Sequence, residues 1–220
     1  MAEESWLDTR DGEVAGGAQS VAEDAEEKSS PVDIIQRAGH RGLGIATAES
    51  LTAGSLAARL ADVPGASAAL RGGVVAYCNE VKHELLDVDA GLLAERGAVD
   101  PAVAAAMARG AGITTGADIG ISTTGVAGPE PHQGKDVGTV YLGLACRRSQ
   151  AERLGLRLPD VCEEDAEAAA EGDASEWVAG SLLLNLDGER AEIRDASVEG
   201  ALKLLDDFLH TEPAGIGEAR

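Results

Sequence analysis

Three short segments carry side chains that could do chemistry together. The first is Ala48-Glu49-Ser50-Leu51-Thr52-Ala53-Gly54. Ser50 falls where a buried apolar run gives way to a helical pattern. That puts a hydroxyl at the carboxyl edge of a strand, where α/β folds place their ligands. The unpaired N–H groups of a helix N-terminus lie beside it, and such donors can hold an oxyanion or a phosphate. Taken by itself the segment is better explained by Ser50 or Thr52 capping the helix. It is neither a G-x-S-x-G elbow nor a P-loop.

The second segment is Tyr77-Cys78-Asn79-Glu80-Val81-Lys82. A serine hydroxyl is a weak nucleophile and needs a base. A lysine can be that base if desolvation lowers its pKa. Spacing leaves a solvated lysine and a packing tyrosine equally open. The third segment, Ser122-Thr123-Thr124-Gly125-Val126-Ala127-Gly128-Pro129, ends a strand in hydroxyls and glycine and enters a polar loop. It suits a backbone-lined anion or substrate site; an ordinary loop is the plainer account.

The elements that would position these segments alternate between helix and strand. Ser30 and Pro31 suit a helix N-terminus, giving a helix to about His40. A strand is expected over 43–48, a helix over 52–62 and a strand over 70–77. Short helices follow over 79–86 and 90–95. Asp100-Pro101 opens a longer helix to about Ala111. Strands are expected over 117–123 and 137–146, a hairpin strand over 151–158, and another over 181–186. The last helix, about 188–209, has Ile193, Ala196, Ala201, Leu204, Leu205 and Phe208 as a core stripe. This alternation predicts an α/β fold, a single layered domain. The domain should span 30–210. It should be preceded by a disordered acidic tail (1–29), interrupted by an acidic surface insertion near 160–176, and followed by a short tail (211–220).

Composition narrows the function. Apolar residues make up 44% of the 220, enough for a core, but aromatics only 2%, so that core must be aliphatic. The formal charge of −21 argues against nucleic acid and anionic membranes as partners. Lysine occurs only at 28, 82, 135 and 203, against fourteen arginines, a balance that resembles proteins of a salt-rich cytoplasm. An ordinary acidic protein with a charged tail is the alternative. Cys78, Cys146 and Cys162 have no ligand spacing and read as small buried or neutral thiols of a reducing compartment. His40, His83, His132 and His210 lie in unrelated contexts, so no metal and no cofactor is expected. The acidic N-terminus lacks the positive region of a secretory signal, and no apolar run is long enough to span a bilayer. The expected location is the cytoplasm.

Taken together, AESLTAGSLAARLADVPGAS, RGGVVAYCNEVKHELLDV, GAVDPAVAAAMARGA, TTGVAGP and VGTVYLGLA resemble the CinA C-terminal family, in order and spacing. The resemblance is close over 32–146 and looser over DGERAEIR and the last helix. It implies an α/β/α domain, a homodimer, and amidase activity on nicotinamide mononucleotide in NAD salvage. It assigns Ser50 as nucleophile, with Tyr77 and Lys82 as catalytic partners. It places Thr52, Asn79, Thr124, Gly125 and Arg190 at the nucleotide substrate. The sequence departs from the family pattern in three places. Ala53 stands where the first of two glycines is usual. The loop Glu130-Pro131-His132-Gln133-Gly134-Lys135-Asp136 replaces one richer in Gly and Thr. The acidic insertion is the third departure. Longer family members add an N-terminal domain, which is not expected within these 220 residues. The rival expectation is a non-catalytic nucleotide-binding or regulatory module on the same fold.

Overall fold

The structure is a computed structural model that describes residues 30–158 and 176–210. The expected tails 1–29 and 211–220 and nearly all of the acidic insertion lie outside the described residues. Helix α1 (Pro31–His40) starts as its sequence suggests: the Ser30 hydroxyl accepts from the Asp33 N–H, with Pro31 in the first turn. Strand β1 (Ile45–Glu49) is buried at every position, polar Thr47 and Glu49 included, as a central strand covered on both faces should be. Helix α2 (Ser55–Ala61) and a 3-10 turn (Ala66–Ala68) lead to β2 (Leu70–Val75). Helices α3 (Asn79–Leu86), α4 (Ala90–Arg96) and α5 (Pro101–Thr115) follow. Asp100 caps α5 by accepting from the Ala102 N–H at 2.9 Å. Strands β3 (Ile119–Gly125) and β4 (Thr139–Arg147), helix α6 (Arg148–Leu154), β5 (Trp177–Asn185) and α7 (Arg190–His210) complete the described chain.

The five strands form one sheet in the order β2-β1-β3-β4-β5. β1 runs parallel to both β2 and β3, whereas β4 and β5 are antiparallel to their neighbours. Helices α1, α2, α6 and α7 bury their apolar faces on one side of the sheet, and α3, α4 and α5 on the other. The domain is therefore an α/β/α layered fold. No helix among the described residues is long and apolar enough to cross a membrane.

The scarcity of aromatics is reflected in how α5 packs. This helix buries ten alanine, glycine, valine and methionine residues, and it lies directly on the strands. A Cβ added at Gly143 of β4 would strike the Ala104 carbonyl, and one at Gly120 of β3 the Ala108 carbonyl. The Ser122 hydroxyl donates to the same Ala104 carbonyl at 2.6 Å. Close backbone approach thus replaces large side chains in filling this layer.

One expected element differs. Residues 151–158 are expected from the sequence to return as a hairpin strand. Instead Arg148–Leu154 form helix α6, and Gly155 closes it at φ 65°. Leu156 drops into the core just after that glycine. The antiparallel partner of β4 comes later and is longer than expected. It begins at Trp177, which pairs with Arg147. Of the expected insertion only Glu176 is described, 3.8 Å from the Arg147 guanidinium.

Candidate active site

Topology brings the three chemical segments together. β1 and its two parallel neighbours end at the same edge, with Glu49 opposite Val75 on one side and Thr123 on the other. The chain leaves β1 toward β2 and later crosses back to β3, so β1 is a switch point where a crevice opens. Residues just past these strand ends therefore sit side by side. The Ala76 N–H donates to the Glu49 carbonyl at 2.8 Å, and the Ser50 N–H to the Thr123 carbonyl at 2.9 Å. A cleft of about 690 Å³ opens there, lined among others by Ser50, Tyr77, Asn79, Lys82, Thr124, Gly125 and Arg190.

Lys82 is the defining group of this cleft. It lies one turn into α3 and is only 1% exposed, one of the largest side chains so fully buried among the described residues. Its amine donates to the Ala76 carbonyl at 2.8 Å and reaches the Ser50 Oγ at 3.3 Å. Burial pushes its pKa below the ordinary lysine value, against the smaller opposing pull of the Cys78 thiol and the Glu80 carboxylate. A desolvated lysine beside a serine hydroxyl, with one N–H fixed by a carbonyl, has the arrangement that general-base activation of a hydroxyl requires.

The turn that carries Ser50 rests on Glu49, whose role the sequence did not indicate. This side chain is 1% exposed. Its carboxylate accepts from the N–H groups of Gly54, Leu56 and Ala57 and from the hydroxyls of Thr47 and Thr52. Two of these donors, Leu56 and Ala57, are first-turn amides of α2 and a third is the amide of Gly54 just before it, so Glu49 does the work of a helix cap from the end of the preceding strand. A buried carboxylate is costly unless its lone pairs are filled, and here five donors surround it. Helix capping, offered above for Ser50 or Thr52, thus falls to Glu49.

The expected substrate role of Thr52 needs correcting. Thr52 is fully buried, and its hydroxyl is held by Glu49 and by the Thr123 hydroxyl at 2.7 Å each. It braces the turn from beneath and is absent from the cleft lining. Thr124 does line the cleft, with its hydroxyl donating to the Ala98 carbonyl at 2.6 Å. Gly125 also lines it, but a side chain there would press on the Thr139 carbonyl and on Val140, so strand packing alone requires a glycine.

At the mouth, Arg190 from the start of α7 donates to the Gly128 carbonyl at 2.6 Å and to the Tyr77 hydroxyl at 3.0 Å. Tyr77 is 59% exposed. Its hydroxyl therefore joins Arg190 across the entrance, whereas Lys82 reaches Ser50 directly. The 129–136 loop forms the far wall. His132 and Lys135 pair through their backbones, and the Gln133 side chain accepts from the Ala98 N–H at 3.2 Å. Glu130 is exposed on that wall. Cys78 is exposed beside Tyr77, while Cys146 is buried in β4 with its thiol pushed up to about 12 by burial. Cys162 lies outside the described residues.

Ala53 explains one departure noted in the sequence. It sits at φ 53°, in the left-handed region, and Gly54 follows at φ 98°. An L-residue with a side chain is penalised there, whereas glycine is not. Ala53 is exposed, so nothing in packing offsets this cost. Ala53→Gly should therefore stabilise the protein by about 1 kcal/mol, after allowing for the greater freedom glycine gives the unfolded chain. Thermal melting of the two proteins checks it; an unchanged or lower Tm would mean that the turn holds alanine without strain.

Comparison with known proteins agrees with this architecture. The profile of the CinA C-terminal domain matches residues 27–179. A CinA-like protein of Frankia casuarinae is 55% identical over 119 residues, covering 54% of this chain and 27% of that protein. A putative competence-damage inducible protein of Desulforamulus reducens is 41% identical over 168 residues, covering 76% of this chain and 34% of the other. The match thus spans only about a third or less of these curated relatives. Among solved structures, a CinA superfamily protein from Klebsiella pneumoniae superposes with a TM-score of 0.66 at 27% identity, covering 81% of this chain and 94% of that one. A competence/damage inducible protein from Agrobacterium tumefaciens gives 0.63 at 28%, covering 81% and 95%. With its α/β/α fold and its cleft at the ends of the parallel strands, the chain belongs to the CinA C-terminal domain family.

Proposed function

We propose that this domain hydrolyses the carboxamide of nicotinamide mononucleotide, giving nicotinate mononucleotide and ammonia through a Ser50 acyl-enzyme. The observation that carries this reading is the buried Lys82 amine 3.3 Å from Ser50 Oγ. Neutral Lys82 takes the Ser50 proton as Oγ bonds to the carboxamide carbon. Backbone N–H groups after Ser50, or around Thr124-Gly125, hold the resulting oxyanion. Lys82 then returns the proton to the amide nitrogen, the C–N bond breaks and ammonia leaves. In the second half Lys82 takes a proton from water, whose oxygen attacks the ester carbon. The C–Oγ bond breaks, Ser50 recovers its proton, and the carboxylic acid is released. Every step is proton transfer and acyl transfer, and the chain's own groups account for each. Arg190 and Tyr77 at the mouth suit the anionic end of the nucleotide, and Asn79 and Thr124 line its path.

Ammonia release from nicotinamide mononucleotide by the purified protein tests the proposal, measured with and without EDTA and across a salt series. Turnover that persists in chelator fits the metal-free scheme. No ammonia under any of these conditions would leave the non-catalytic reading.

Glu130 bears on specificity. Arg190 is bonded to the Gly128 carbonyl, and Glu130 follows two residues later on the same wall. A phosphate drawn to Arg190 thus meets a carboxylate nearby, and like charges at a partly screened surface repel by a fraction of a kcal/mol. Glu130→Gln should lower KM for the mononucleotide about threefold at low salt, with the gain shrinking at high salt. KM for nicotinamide riboside, which lacks the phosphate, should not move. An equal fall in both values would show that Glu130 acts on the wall and not on the phosphate.

A further inference from the structure

The turn that presents Ser50 is held from two sides by opposite charges. Glu49 takes its N–H side, as described. On the other side Arg194, one helical turn beyond Arg190 on α7, donates from Nε to the Leu51 carbonyl at 2.9 Å and from Nη2 to the Thr52 carbonyl at 3.0 Å. The same nitrogen lies 3.5 Å from the Ser55 Oγ. These carbonyls belong to the Leu51–Thr52 and Thr52–Ala53 peptide units, the two that follow the Ser50–Leu51 link. In a trans peptide the C=O and the following N–H point opposite ways. Fixing the Leu51 carbonyl therefore also fixes the direction of the Thr52 N–H, and fixing the Thr52 carbonyl fixes that of the Ala53 N–H. The Ala53 N–H closes the turn onto the Ser50 carbonyl at 3.2 Å.

From this geometry we infer that Arg194 is a positioning residue for the nucleophile, acting through the backbone of the turn without touching the substrate. The inference rests on the serine mechanism proposed above. A planar guanidinium can reach two adjacent carbonyls from fixed directions, whereas an ammonium on a flexible stem holds one at a time. The turn needs such support because it contains Ala53 and Gly54 at positive φ and must keep Ser50 within reach of Lys82. Without Arg194 the carbonyls of Leu51 and Thr52 turn toward water, and Oγ samples positions from which attack is not aligned. Misplacement of a reacting atom by a fraction of an ångström lowers the rate of the chemical step while leaving binding at the mouth intact.

The test compares Arg194→Lys and Arg194→Gln with the full-length wild type, using amide hydrogen exchange and steady-state kinetics. Exchange in the 50–56 segment should quicken at least about tenfold, with α5 and β3 unchanged. The kcat for nicotinamide mononucleotide should fall about 30-fold or more while KM stays within about threefold. Methylguanidinium added to the Gln variant should restore part of the lost kcat, which a general loss of stability would not allow. Unchanged exchange in the segment would overturn the inference, as would local loosening with kcat retained. Exchange is read without any substrate. Wild-type protein that releases no ammonia would therefore defeat the amidase proposal, while the exchange comparison still decides whether Arg194 clamps the turn.

Discussion

Ser50→Ala is expected to abolish ammonia release, with kcat falling on the order of 10⁴-fold or more, while the fold is retained. The variant removes one oxygen atom from a residue whose backbone is fixed by β3 and whose neighbours are fixed by Glu49. No core contact depends on Oγ, so Tm should stay within a few degrees of wild type. Lys82 loses one hydrogen-bond partner but keeps the Ala76 carbonyl. Binding at the mouth should survive, because Arg190 and Tyr77 are untouched. Nicotinamide mononucleotide should still raise the Tm of the inactive variant, which separates lost chemistry from lost binding. Turnover near the wild-type rate would show that the carboxamide is attacked by water directly, with Ser50 a bystander.

The fold was largely legible because its periodicities are clean. The helix starts at Pro31 and Pro101, each with a capping side chain before it, match those expected from the sequence. The element that differs, α6, lies where leucines at 154, 156 and 158 straddle the helix-ending Gly155, so a strand-like alternation overlaps the last turn of a helix. The site was legible only in part. Ser50, Tyr77, Lys82, Asn79, Thr124, Gly125 and Arg190 come from segments far apart, and parallel strands sharing one edge are what collect them. Thr52 reads ambiguously because a hydroxyl in a motif looks the same whether it faces a ligand or a buried carboxylate, and here it faces Glu49. Glu49 carries no signal of its own, because an acid in a buried strand suggests nothing until the amides that donate to it are in place. Arg194 left a fainter signal: it follows Arg190 by four residues, hence on the same face of α7. What it holds, the carbonyls of Leu51 and Thr52, is invisible in a sequence because backbone groups carry no residue type.

Lys82→Arg is expected to lose about 10³-fold or more in kcat. Arginine keeps the positive charge and the donors but cannot give up its proton at any ordinary pH. The substitution therefore separates a base from an electrostatic anchor. If Lys82 only attracted an anion, arginine would serve nearly as well. In wild type the direction of pH dependence follows from desolvation, which lowers the Lys82 pKa. An unperturbed lysine near 10.4 would be only about one part in a thousand neutral at pH 7.4, so lowering its pKa raises the active fraction. As a free-enzyme base, Lys82 should give kcat/KM a limb that rises with pH and levels off above its folded pKa, below the ordinary lysine range. Stability has the same sign. The folded protein releases this proton at lower pH than the unfolded chain, so between the two values the unfolded state binds more protons and stability increases with pH. The contribution is fully present above the unfolded lysine pKa and is lost as pH falls through the folded one. The Arg variant should lose the rising limb together with the activity. An Arg variant within tenfold of wild type and with the same pH profile would reassign the proton to another group and leave Lys82 as a buried hydrogen-bond donor to Ser50.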